Sequence, residues 1–389
     1  MNFGDLQGRV KYFLDKGYQL DKEVLEFLQT NPEETERLVN FIDKTQPKTT
    51  TISQNELNMF LGNTQNQLEI IRVPEVANNP QTVDTTLNHL RIRYDYIKNL
   101  LVKRLELTNP TSINRIGNSK QFSIIGLIRE IDYYNKTIVV DDKTGSAQLG
   151  FGNLTTPLYN DEVVGFICSQ ENNRIEVRNI VVPDIPIKKE ISRTTKPTHC
   201  LFLSDFHLDN EETRKFYEKY KNWTEQSGDE EGFVFILNNM AKTEEQLQEL
   251  INHLPKNFTP IVSEGNGNNT NKLKEPTTVR VNNITILLTP GGVYEKYKTP
   301  ANSGAENTIT NLIKKRHLNP IFDKNSVAYA NDPYLLDIIP DIIVVSGIGK
   351  SSATNYKGIT ILTTGSFLTE PIFWSVNLKT RETIKVDFS

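Results

Sequence analysis

The stretch Leu201-Phe202-Leu203-Ser204-Asp205-Phe206-His207 joins a short apolar run to an Asp-x-His pair. An apolar run of this length favours a buried strand, and the polar pair follows at its carboxyl end. Sites in layered α/β proteins gather at such strand ends, and carboxylate and imidazole are common metal ligands. Asp205 and His207 are therefore candidate ligands of one metal ion. The structural alternative is that Asp205 accepts backbone donors while His207 packs.

The segments after this stretch alternate between apolar strands and helical patterns with apolar residues three and four apart. Strands are expected at 200–204, 233–237, 259–263 and 342–345, with a hairpin over 279–288; helices are expected at 211–223, 244–253 and 305–317. This alternation predicts an α/β layered domain over residues 191–389.

Residues 119–190 carry five short strand patterns separated by turn signals, among them Asp142-Lys143-Thr144-Gly145. Short strands at such close spacing predict a small Greek-key barrel of the OB type. Barrels of this type often bind single-stranded nucleic acid through a basic groove. This segment has eight Lys or Arg and ten Asp or Glu, which favours packing or protein contact over such a groove.

Three segments precede the barrel. Residues 1–45 have apolar residues at helical spacing and predict a small N-terminal helical domain. Residues 46–83 are rich in Gln, Thr, Asn and Ser at their start and predict a flexible linker. Residues 84–118 are expected to be a helical lead-in, whose basic side is solvated rather than bound to nucleic acid. The fold class is therefore multidomain α+β, with helical, OB-barrel and α/β layered parts.

Composition narrows the classes of protein that this chain could represent. It has 389 residues, a mean hydropathy of −0.45 and a net charge of −4. No apolar run approaches the ~20 residues that a membrane span needs, and the polar N-terminus does not resemble a signal peptide. We therefore expect a cytoplasmic protein without membrane contact. The acidic balance argues against an autonomous nucleic-acid binder.

The two cysteines, Cys168 and Cys200, each follow apolar residues in a predicted strand. Two small buried thiols are favoured over a disulfide. A structural zinc site of the Cys-rich kind is not available with so few thiols.

Several motifs give the chain a family resemblance. Lys315-Arg316-His317-Leu318-Asn319-Pro320 is close to an Arg-His-Leu-Ala-Pro stretch, and Asp341-Ile342-Ile343 and Tyr356-Lys357-Gly358 are similar to two later family segments. From about residue 84 to 389 the chain resembles the small (B) subunit of archaeal family D DNA polymerases. The resemblance implies an OB barrel followed by a calcineurin-like phosphoesterase domain, with Arg316 and His317 as signature residues.

Active members of that superfamily bind two metals through five motifs, and the resemblance implies that most of these ligands are lost here. Asp205, His207 and Asn266 remain as vestigial ligands. The replaced ligand positions are Asn238, Gly267, Asn268, Pro290, Ile348 and Lys350. Glu264 is the acid expected nearest to the third motif.

Electrostatics explains why these losses matter. Two divalent ions about 4 Å apart repel by roughly 17 kcal/mol at an effective dielectric constant near 20, so a bridging anion must offset the repulsion. Asn238 is neutral and Lys350 is positive. We therefore expect no catalytic residue, no metal and no cofactor in this chain.

Three functions remain open. The first, implied by the resemblance, is a non-catalytic accessory subunit in DNA replication, which holds the large catalytic subunit through its barrel and inactivated phosphoesterase-like domain. Mg²⁺ and Zn²⁺ would then belong to the large subunit, and DNA would be met mainly through the complex. The second is a 3′-5′ exonuclease with a rearranged metal site. The third is a stand-alone single-strand binder of the OB type.

Overall fold

The fold is described here from a computed structural model. The described residues are 6–45, 51–54, 56–57, 60, 67–78, 82–117, 119–152, 156–172, 174–186, 190–205, 211–226, 231–238, 244–254, 257–263, 273–298, 304–323, 326–367 and 369–388. The chain divides into two compact units, residues 1–68 and 69–389. No helix in these ranges is long and apolar enough to cross a bilayer.

The first unit is helical, as its apolar spacing predicts. Its elements are helices α1 (Leu6–Asp15), α2 (Lys22–Thr30) and α3 (Thr35–Thr45) and the short strands β1 (Gln19–Leu20) and β2 (Thr51–Ile52), which pair in parallel. Asn31 precedes the 3-10 turn Pro32–Glu34, where proline takes the first position, as its fixed φ favours. The small core unites all three helices.

The expected flexible linker over 46–83 is wrong for much of its described part. Ile52, Leu57 and Phe60 are buried in the core of the helical unit. Further on, strand β3 (Leu68–Arg72) joins a six-stranded sheet. The segment is mostly polar, so its few apolar residues were not recognised as core residues. Burial of each of these apolar side chains contributes about 1.5–3 kcal/mol, which favours a packed segment over a flexible one.

Helix α4 (Val83–Leu101) is the lead-in to the barrel. Thr82 caps its N-terminus by accepting from the backbone N–H of Thr85 at 3.2 Å, the ordinary role of a threonine N-cap. Tyr94, Ile97 and Leu101 on one face are buried against barrel residues, so the apolar stripe packs as predicted.

Five strands form a closed barrel in the order β4-β5-β6-β8-β7. Neighbouring strands are antiparallel, except that β6 and β8 pair in parallel. These strands are β4 (Gln121–Asp132), β5 (Thr137–Asp142), β6 (Gly145–Phe151), β7 (Val163–Glu171) and β8 (Arg174–Val181). Inward-facing Ile, Val, Leu and Phe side chains fill its interior together with Cys168. Burial raises the pKa of the Cys168 thiol to about 12, and both Cys168 and Cys200 are buried and unpaired.

The remaining strands form two sheets. The five-stranded sheet has the order β11-β10-β9-β17-β18, and the six-stranded sheet has the order β15-β16-β14-β13-β12-β3. Their strands are β9 (His199–Ser204), β10 (Gly232–Leu237), β11 (Phe258–Val262), β12 (Thr277–Val281), β13 (Ile284–Pro290), β14 (Ile342–Ser346), β15 (Ser352–Tyr356), β16 (Ile359–Thr364), β17 (Ile372–Asn377) and β18 (Thr383–Asp387). The indole Nε1 of Trp374 donates to the carbonyl oxygen of Thr363 at 2.9 Å, which links the two sheets.

Helices cover the outer face of each sheet. Helices α5 (Glu211–Gln226) and α6 (Glu244–Asn252) pack on the five-stranded sheet, and α7 (Ala305–Lys314) packs on the six-stranded sheet. Leu201 and Leu203 of β9 face α5 and α6, whereas Phe202 stacks on Phe235. A strand buried on both faces reads as a continuous apolar run, which is why 201–203 carries no alternation.

Two ion pairs, one buried and one half-buried, fasten the barrel to the two-sheet domain. The Lys315 ammonium at the end of α7 pairs with Glu162, and each side chain is only 2% exposed. Lys357 donates to the Asp184 carboxylate at 2.6 Å, and Tyr356 donates to its other oxygen at 2.8 Å. Removing one partner of the Lys315–Glu162 pair would be costly, because the other charge would stay buried and unpaired.

Candidate functional site

The candidate site lies where strands of both sheets end. Asp205 follows β9 and Asn238 follows β10, and both have left-handed backbone, with φ of 54° and 45°. Asp and Asn tolerate this conformation better than most residues. Because β9 and β10 are parallel and in register from Gly232 to Leu237, the two side chains come out side by side.

Asn238 and Asp205 are hydrogen-bonded to each other. The Asn238 side-chain amide donates to Asp205 Oδ1. Gly347, after β14, closes the site from the other sheet with φ of 66°. A Cβ added there would lie 3.0 Å from Asp205 Oδ2 and 3.3 Å from Asn238 Nδ2. Asp205 thus accepts a hydrogen bond from the Asn238 side chain.

Glu275 is the acidic residue that sequence reasoning missed. Its Oε2 accepts from Ser346 Oγ at 2.9 Å, and its Oε1 lies 3.4 Å from the Asn238 backbone N–H. Burial raises the pKa of its carboxyl group, and the nearby Asp205 charge adds to this effect. Glu275 precedes Pro276 at the start of β12, a position without motif character. Glu264, the acid that we expected here, lies outside the described residues.

The other predicted positions divide into two groups. Pro290 ends β13, Ile348 is 1% exposed in the core, and Lys350 is exposed to solvent. The Pro290 and Ile348 side chains have no oxygen, nitrogen or sulfur atom that could bind a metal, and the Lys350 side chain is cationic at neutral pH. Four further positions, His207, Asn266, Gly267 and Asn268, lie outside the described residues.

The described residues do not fit a pair of divalent ions. The Asn238 amide nitrogen, a hydrogen-bond donor, points at the Asp205 oxygen that a bridged ion would need. Glu275 is turned toward Ser346 and its pKa is shifted toward the neutral acid. Among the residues that the structure describes, no three or more His, Cys, Asp or Glu are grouped to hold a metal.

Arg316 and His317 lie away from this site, just after α7. Arg316 Nε donates to the Leu336 carbonyl oxygen at 2.8 Å, and its Nη2 donates to the Tyr96 hydroxyl at 3.0 Å. His317 Nδ1 accepts from the Asn319 backbone N–H at 3.1 Å, so Nε2 carries the proton that it donates to Asp332 at 2.7 Å. Both signature residues therefore fix the chain around the end of α7.

Asp332 is the centre of a buried polar network that includes His317, Arg93 and His89. Arg93 of α4 donates to Asp332 Oδ2 through Nε at 3.2 Å and Nη2 at 3.0 Å. His89 Nε2 lies 3.2 Å from the same oxygen. Burial and the Arg93 charge lower the pKa of His317 to about 4. Hydrogen bonds and charges from His317 and Arg93 hold the Asp332 pKa well below its usual value, against the effect of burial.

The DNA polymerase II small subunit of Thermoplasma acidophilum is 22% identical, over 69% of this chain and 67% of that protein. No protein-family model matches.

Solved structures give weaker similarity. Vps29 of Entamoeba histolytica is 15% identical and covers 49% of this chain and 100% of its own, with a TM-score of 0.31. An archaeal phosphodiesterase is 11% identical and covers 49% and 99%, with a TM-score of 0.30. The architecture of this chain therefore rests on its own strand order.

Proposed function

We propose that this chain is a non-catalytic accessory subunit of a family D type replicative DNA polymerase. One observation carries the non-catalytic part of the proposal: the Asn238 amide donates to Asp205 where a two-metal phosphoesterase needs a bridging carboxylate. The 22% identity to a polymerase small subunit supports the same assignment.

The architecture supports a scaffolding role. The barrel's strand order, β4-β5-β6-β8-β7, fits the OB class, and the sheets beside it fit an inactivated phosphoesterase-like domain. Arg93 joins α4 to both parts, because Nη1 donates to the carbonyl oxygens of Asp161 and Pro320. A rigid two-domain body of this kind presents a preformed surface to a partner at little ordering cost.

The partner in this proposal is the large catalytic subunit. It would supply the polymerase chemistry with its Mg²⁺ and any Zn²⁺, and DNA would be contacted mainly through the complex. This chain would contribute no metal site, so loss of the ligands would cost the assembly nothing.

Co-purification with a large subunit, followed by nuclease assays on each form, tests the proposal. We expect a stable complex and no Mn²⁺-dependent cleavage of single-stranded DNA by the chain alone. Failure to form a complex with that subunit would contradict the accessory role.

The alternative is a 3′-5′ exonuclease with a rearranged metal site, and the position of Glu275 beside Asn238 favours it. Mn²⁺-dependent removal of 3′ nucleotides by the unmodified chain, abolished by Glu275→Gln, would support this alternative over the first. Inactivity of both proteins would dismiss it.

A further inference from the structure

The end of α4 and the start of the barrel form a cleft of about 410 Å³. Lys98 and Val102 from the helix line one wall, and Thr111, Ser112 and Arg115 line the other. This cleft shares no residue with the site around Asp205, Asn238 and Glu275. Its position outside the candidate site makes it a separate feature of the surface.

The two cations of the cleft have no acidic partner among the described residues. Nearby charges are already paired: Lys143 with Asp95 at 2.7 Å and Arg104 with Glu106 at 2.6 Å. The acid in the cleft, Asp142, is also engaged, since its carboxylate accepts from the backbone N–H groups of Ile113 and Thr144. The cleft therefore holds two cations against one carboxylate, and its single net positive charge favours an acidic ligand.

One aliphatic side chain, Val102, is exposed in the cleft, and a second, Leu105, is exposed three residues further along the chain. Val102 is 50% exposed, and Leu105, in the loop just after the helix, is 94% exposed. The loop is ordered, because Arg104 N donates to Leu101 O at 2.9 Å and the buried Leu107 anchors its far end. Covering Val102 and Leu105 with an aliphatic side chain of a partner would be favourable, because apolar area is removed from water.

We propose that this cleft docks a peptide segment of another protein, with acidic residues beside an aliphatic anchor. The acid would lie between Lys98 and Arg115, and the anchor would cover Val102 and Leu105. Nucleic acid suits the patch less well. Bases stack on aromatic rings rather than on aliphatic side chains, and two cations neutralise few phosphates.

A displayed library of random 12-residue peptides, selected on the full-length chain, tests this inference. Enriched sequences should combine Asp or Glu with Leu, Ile, Val or Met. One of them, made as a labelled peptide, should lose at least about tenfold in affinity with Lys98→Glu/Arg115→Glu and with Leu105→Ser. The control Arg174→Glu/Lys379→Glu makes the same charge change at exposed positions elsewhere and should bind as the unmodified chain does.

Three results would overturn the inference: no enrichment, enriched peptides without acidic residues, or binding that the cleft variants leave unchanged. Thermal unfolding of each variant separates lost binding from lost folding. A labelled 30-residue oligothymidylate is titrated in parallel. Tighter binding of that probe, abolished by the double cleft variant, would reassign the cleft to nucleic acid. None of these outcomes depends on a polymerase partner, so the test is independent of the proposed function.

Discussion

The side-chain amide of Asn238 donates a hydrogen bond to the carboxylate of Asp205, and both residues hold left-handed backbone at neighbouring strand ends. The neutral Asn238 amide thus occupies the place beside Asp205. A second carboxylate at this place would repel Asp205 unless cations lay between the two. The site is satisfied internally, since a buried carboxylate is stable when it accepts hydrogen bonds.

Asn238→Asp should make the chain less stable in the absence of metal. The new carboxylate would face Asp205 and Glu275 with no donor between them, and we expect a loss of about 1–3 kcal/mol in the free energy of unfolding. Urea denaturation at pH 7 with EDTA measures it. The exchange Asp205→Asn/Asn238→Asp keeps one acid and one amide and should remain closer to the unmodified chain. Equal stability of all three proteins would refute the role of this hydrogen bond.

His317 should make stability depend on pH. Its folded pKa, about 4, lies below the ordinary 6.5, so the folded state favours the neutral ring. Its contribution is complete above pH 6.5 and is lost as the pH falls from 6.5 toward 4, by up to about 3 kcal/mol. Denaturation at several pH values should show this decline. His317→Gln keeps a donor for Asp332 but does not titrate, and an undiminished slope in that variant would rule out His317 as the cause.

Arg93→Met should be strongly destabilising. It removes a cation from the buried Asp332 carboxylate and a donor from two carbonyl groups, and breaking a buried pair on one side costs about 3–5 kcal/mol. The exposed neighbour Arg91→Met should change stability by less than about 0.5 kcal/mol. Chemical denaturation of both variants decides the matter. Similar losses for the two would show that the ion pair is unimportant.

Gly232→Ala should disturb the pairing of β9 with β10. A Cβ at this position would lie 1.8 Å from the carbonyl oxygen of His199, so the strands must separate. Overpacking of this kind costs about 1–3 kcal/mol or more. Gly117→Ala is the matched control, because nothing lies within 4 Å of its added Cβ. Thermal unfolding compares the two, and a Gly232 variant as stable as the control would contradict the close approach.

Several features of the fold could be predicted from local sequence. The apolar run at 201–203, the strands of the barrel and the Asn282-Asn283 hairpin between β12 and β13 all appear in the structure. Asn238 could also be identified, because a strand pattern ends directly before it. Assignment of the barrel to the OB class and the inactivity of the site remain proposals.

The sequence by itself determined the order of strands and helices and the polar residues that follow each strand, because hydrophobic periodicity is a local property. Only the tertiary structure decided that Glu275 lies beside Asn238 and that Asp332 contacts His317, His89 and Arg93. It also decided that Ile52 and Phe60, from the expected linker, are buried in the core of the helical unit. These contacts join residues far apart in the chain, up to 239 positions for Arg93 and Asp332. Such pairings arise from packing and the burial of charge, which no local pattern encodes.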